Sequence, residues 1–155
     1  MTTPLDKTID QLGYAGLLPF AGLASLMWLV HAELLPFVAV ALTGYAAVIV
    51  SFLGGIYWGI GFLHNPANSQ PTPLESSPAA LRFHFVWGVV PSLLAWLALL
   101  MPAYAALPLL GLVLVVCYAV DRKTYPALGL SRWLPLRLRL TVVATLSCVL
   151  GAAAI

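Results

Sequence analysis

Charge is scarce in this sequence: 8% of its 155 residues are Asp, Glu, Lys or Arg, against about 25% in an ordinary soluble domain. So few charged side chains cannot coat a water-soluble globule, and that class is excluded. Seven Lys and Arg are also too few for a phosphate-tracking surface, so no nucleic-acid partner is expected. There are two cysteines, Cys117 and Cys148, each inside an apolar run where a thiol behaves as a small hydrophobe, and they imply no disulfide framework. Metal and haem signatures are missing, with no H-x-x-x-H, E-x-x-H or C-x-x-C-H arrangement. So are G-x-S-x-G, H-E-x-x-H and the P-loop, and no two carboxylates meet by helical spacing inside the membrane, so no catalytic residue is assigned. A transporter reading is disfavoured because no charge falls near the middle of an apolar run. The amino-terminal MTTPLDKTID has the pattern of neither a signal peptide nor a mitochondrial presequence.

What the chain has is apolar length. Apolar residues make up 62% of it and the mean hydropathy is +1.00. A membrane-spanning helix needs roughly 20 such residues, so the chain reads as an all-α, polytopic bundle forming a single transmembrane domain over residues 1–155. Five spans are expected, at about 12–30, 34–63, 83–101, 103–120 and 135–155, after a polar tail in which Thr8 or Asp10 caps the first helix. Residues 64–80 carry four prolines among small polar residues and form a linker. Residues 121–134 read as an interfacial segment. Five spans place all seven Lys and Arg on one side, which the positive-inside rule makes cytoplasmic: N-in and C-out.

Small residues recur at spacing four in the second span, at Thr43, Ala47, Ser51, Gly55 and Gly59, as one helical face suited to close packing. Packing within the subunit, a homodimer seam and a groove for a flat ligand are the three uses of such a face. The third span carries His84, Gly88, Ser92 and Trp96 at the same spacing, with Pro91 beside them. Pro19, Pro91 and Pro108 each remove one helical hydrogen bond, and such interruptions open pockets. The candidate ligand cavity is bounded by Tyr14, Tyr45, Tyr57, Trp58, His84, Trp87, Ser92 and Trp96. His64 and His84 fall at the same end of adjacent spans, the one arrangement compatible with bis-histidine haem.

A charged face gathers Arg82, Asp121, Arg122, Arg137 and Arg139. Arg137 and Arg139 are two positions apart on a helix, so one turns inward while the other reaches lipid phosphates. Asp121 or Glu75 is expected to pair with Arg137, Arg139, Arg122 or Arg82, because cations at a helix start and an anion at a helix end both oppose the local dipole.

In order, LGYAGLLPF (12–20), GYAAVIVSFLGGIYWG (44–59), WGVVPSLLAWLALL (87–100), Asp121-Arg122 and LRLRLT (136–141) form a series that resembles a bacterial membrane family, domain of unknown function 3429, related to eukaryotic transmembrane protein 69. The resemblance covers nearly all the chain except the tail and the linker. It implies a small multi-pass protein of the bacterial inner membrane and no established activity. The family pattern often has a basic or imidazole side chain before the Trp-Gly of the second block, where this chain has Tyr57.

The functional expectation is a non-catalytic binding or accessory subunit for a hydrophobic ligand, a lipid or a larger membrane complex, without a cofactor. The alternative is a redox-associated protein binding quinone or haem, with His84 or Tyr57 donating to a quinone carbonyl. A small transporter or channel is third. Partners are membrane lipids, complex subunits or a second copy.

Overall fold

The computed structural model describes residues 4–64 and 77–155. Among them there are only helices: α1 (Pro4–Ala15), α2 (Leu17–Leu29), α3 (Leu35–Leu63), α4 (Pro78–Leu99), α5 (Ala103–Thr124) and α6 (Leu134–Ala153), with a 3₁₀ turn at Ser131–Trp133. Five stretches are long and apolar enough to cross a membrane: Pro4–Leu29, Leu35–Leu63, Pro78–Leu99, Ala103–Thr124 and Ser131–Ala153. The outside of the bundle presents Leu18, Phe37, Val48, Leu112 and Leu146, each more than half exposed, as befits a molecule whose solvent is hydrocarbon.

The first span starts earlier than its apolar run. Lys7, Thr8, Asp10 and Gln11 share one exposed face of α1 while Ile9 and Gly13 are half-buried, so a helix forms where hydropathy alone shows a tail. Thr8 caps nothing; its hydroxyl donates back to the Pro4 carbonyl at 3.1 Å. Pro19 has no N–H to offer the carbonyl of Ala15, and α1 stops there. The phenol of Tyr45 donates to the next carbonyl, Gly16, at 2.8 Å.

The third span also starts early. Ser77 accepts the Ala80 N–H at 3.2 Å and Pro78 occupies the first helical turn, so residues 78–80 belong to α4 rather than to the linker. Residues 65–76, the rest of the expected linker, and with them Glu75, lie outside the described residues. Of residues 121–134, those up to Thr124 belong to α5 and those from Ser131 to the 3₁₀ turn and the start of α6, so residues 125–130 are the connector. There the Tyr125 carbonyl accepts both Leu128 N–H (3.1 Å) and Leu130 N–H (2.9 Å), and Gly129 supplies the positive φ of 70° that closes the turn.

α3 is the central helix, in contact with α2, α4, α5 and α6. Leu42, Ala46, Val50, Leu107, Leu110 and Cys148 are fully buried around it, and both cysteines are free thiols in this core. Its tightest neighbour is α4. A Cβ on Gly54 would lie 2.5 Å from the Gly88 carbonyl oxygen, and one on Gly88 would collide with Trp58 Cδ1 and come within 3.0 Å of the Gly54 oxygen. Pro91 is buried in the same seam, its Cγ 3.3 Å from the Gly54 Cβ position. At the opposite end of the bundle, the Trp28 indole donates to the Leu150 carbonyl at 3.2 Å, joining the first span to the last.

Candidate functional site

Three helices bring a polar cluster together at one end of the bundle. Asp121, 2% exposed in the last turn of α5, accepts from Nε (2.9 Å) and Nη2 of Arg137 on α6. The Tyr57 phenol on α3 donates to the other carboxylate oxygen at 2.9 Å and lies 2.7 Å from the Thr124 hydroxyl, which donates to the Val120 carbonyl at 2.9 Å. A buried carboxylate is tolerable in lipid only when charge and hydrogen bonds are matched in this way. The inward arginine is therefore Arg137. Arg139 is exposed and donates to the Tyr14 phenol at 3.1 Å, while Arg82 and Arg122 are also exposed.

Beside this cluster lies a cleft of about 490 Å³ between α1–α2 on one side and α3, α5 and α6 on the other. Leu12, Phe20, Ile49, Leu53, Ile56, Leu114, Leu136 and Leu140 make its wall almost wholly apolar. The polar side chains on that wall are Arg137, Tyr125, Trp133 and Thr141. Burial pushes the Tyr125 phenol above its ordinary range, the Asp121 carboxylate adds to this, and Arg137 opposes it. Thr141 is buried, and its hydroxyl has no hydrogen-bond partner among the described residues. At the mouth Arg132 stacks over Trp133, 4.8 Å from its centroid, and pairs with Asp6 of α1.

None of the eight residues expected to bound a cavity lines this cleft. Tyr14, Trp58 and Trp96 are exposed, at 41%, 41% and 58%, and Tyr57 is spent on Asp121. Trp58 donates its indole N–H to the Phe85 carbonyl at 3.0 Å, within an aromatic group that includes Phe62 and Phe85. Trp87 stacks on Phe83, and Ser92 is half-buried. His84 is buried against Tyr57, ring centroids 5.7 Å apart, and its Nδ1 has no partner among the described residues. His64 turns its own Nδ1 to the Ile60 carbonyl at 2.8 Å. Of the small-residue face, Thr43 and Ala47 are buried and Ser51 half-buried, but a Cβ on Gly55 or Gly59 would meet nothing within 4 Å. The close helix approach is made one position away, at Gly54, because a spacing of four overshoots a full turn by about 40° per step and carries Gly55 and Gly59 off the buried face of α3.

The residues that sequence reasoning missed are Tyr125, Leu130, Trp133 and the aliphatic wall. The available signal was the pairing of Trp133 with Arg132 ahead of a Pro-started helix, which marks a membrane-surface turn able to cover a neighbouring gap.

A five-span helical bundle, apolar outside, with a three-helix polar cluster and an aliphatic cleft at one end, defines a small multi-pass membrane protein. The chain belongs to the family described as protein of unknown function DUF3429, whose model matches residues 5–153. It is 40% identical over 149 residues to Transmembrane protein 69 of Xenopus tropicalis, an overlap covering 92% of this chain and 53% of the relative. The chain thus spans about half the length of that curated relative. No solved structure matches it.

Proposed function

We propose that this protein is a non-catalytic integral membrane protein that holds a hydrophobic ligand or lipid in the cleft between α1–α2 and α3, α5 and α6, as a binding or accessory subunit. The cleft carries this reading: its volume lies within the roughly 300–1,000 Å³ of ordinary ligand sites, and its apolar wall with a few polar groups at one end has their usual make-up. The reading places the protein in the bacterial inner membrane, with the Asp121 end in the cytoplasm, since Lys7, Arg82, Arg122, Lys123, Arg132, Arg137 and Arg139 belong to that end. A carboxyl-terminal reporter active only outside the cytoplasm tests the orientation.

Native mass spectrometry of protein released from its own membrane, with lipid and quinone extraction, tests the binding role. A stoichiometric small molecule retained by the wild type and lost from Leu140→Trp is the expected result. Retention unchanged by that substitution overturns the cleft as the site. A quinone-binding reading is favoured separately by His84, whose unpartnered Nδ1 beside the Tyr57 ring is suited to a carbonyl-bearing head group; loss of extractable quinone in His84→Phe, with retention in Leu140→Trp, supports it.

A further inference from the structure

The chemistry of the cleft wall selects among hydrophobic ligands. Resting on the cleft reading above, we infer that the ligand is an uncharged amphiphile with a long apolar tail and a head that carries a carbonyl acceptor. Three observations lead there.

The first is charge. Arg137 is already matched by Asp121, and at the mouth Arg132 is matched by Asp6, so the cleft end is neutral before any ligand arrives. An anionic head would add an uncompensated charge to a poorly solvated site, and a cationic head would find no carboxylate among the wall residues. The second is hydrogen-bonding sense. Arg137, Tyr125, Trp133 and Thr141 all carry donors, and none is an acceptor-only group. Asp121 engages Nε and Nη2 of Arg137, whose guanidinium also interacts with the Tyr125 phenol. Donors outnumber acceptors in this set, and the buried Thr141 hydroxyl stands without a partner on the same wall. The third is placement. The donors Arg137, Tyr125 and Trp133 belong to the connector and the start of α6, whereas Phe20, Ile49, Leu53 and Ala144 extend the wall away from them in apolar side chains. A head at the charged end and a tail along the bundle fit that division.

The test uses the full chain in lipid nanodiscs and three probes of sixteen-carbon chain, methyl palmitate, hexadecyl sulfate and hexadecyltrimethylammonium, followed by native mass spectrometry. Methyl palmitate is expected to bind at least about tenfold more tightly than either charged probe, the penalty for an unmatched charge. Leu140→Trp is expected to abolish its binding, with Ile56→Trp on the facing wall as the replacement should the first variant fail to assemble. Tyr125→Phe, which leaves the Asp121–Arg137 pair in place, is expected to weaken it several-fold. Equal or tighter binding of a charged probe that Leu140→Trp still blocks overturns the uncharged head and leaves the cleft standing. An unchanged affinity in Tyr125→Phe overturns the carbonyl acceptor held at this end and leaves the cleft standing. Binding of all three probes that neither tryptophan variant alters overturns the cleft reading itself.

Discussion

The two sides of α3 are built on opposite principles. Towards α4 the helices touch backbone to backbone at Gly54 and Gly88, with Pro91 filling the seam and no room for a methyl group. Towards α1 and the start of α6 the neighbours stand apart, leaving the cleft, and discrete polar contacts span it: Tyr45 of α3 to Gly16, and from α1 Tyr14 to Arg139 and Asp6 to Arg132. In lipid there is no hydrophobic drive between helices, so close packing and hydrogen bonds are the two available adhesives. The α4 side relies mainly on close packing, with the Trp58–Phe85 hydrogen bond beside it, and the cleft side on hydrogen bonds and an ion pair. The Tyr57–Asp121–Arg137 cluster joins them, since its members come from α3, α5 and α6.

Removing that joint has the largest expected effect. Asp121→Ala leaves Arg137 buried without a counter-charge and is expected to cost about 3–5 kcal/mol, read as lost thermal stability in detergent. Combining it with Arg137→Met is expected to restore most of the loss, and a double variant as unstable as the single one would show that the pair is not what Asp121 contributes. On the tight side, Gly54→Ala is expected to destabilise by about 1–3 kcal/mol through overpacking, whereas Gly55→Ala, one residue away and facing open space, changes little. Equal effects at the two positions would erase the contrast between seam and lipid face. On the open side, Thr141→Val removes a buried hydroxyl without a partner and is expected to stabilise the empty protein by about 1 kcal/mol. The smallest effect belongs to Asp6→Asn, whose partner Arg132 is 59% exposed, so the change is expected to stay within about 1 kcal/mol. Faster hydrogen exchange confined to α1 would show that this pair holds the cleft's outer wall.

The spans were legible because hydropathy reports what lipid demands of each helix separately. The start of the first span was not, because α1 is polar on one face, and a run-length reading takes such a helix for a tail. That Asp121 or Glu75 would meet an arginine followed from the helix dipoles, and the arginine found on Asp121 is Arg137. The choice of Arg137 over Arg139 depends on the rotation of α6 against α5, which no single-chain spacing contains. The cleft escaped for a related reason. Aromatic side chains attract attention in a sequence, yet Trp58 and Trp96 lie on outward faces, and the vacancy falls among leucines and isoleucines that look alike wherever they point.

The Trp28–Leu150 hydrogen bond has a bearing on how the molecule is made. It joins the first of the five described spans to the fifth, and α6 also brings Arg137 to Asp121. Until α6 enters the bilayer, the Asp121 carboxylate has no arginine from that helix and the cleft has no third wall. A chain truncated between Asp121 and Ser131 is therefore expected to keep four spans and a buried acid without its arginine, and to be less stable than the five-span bundle.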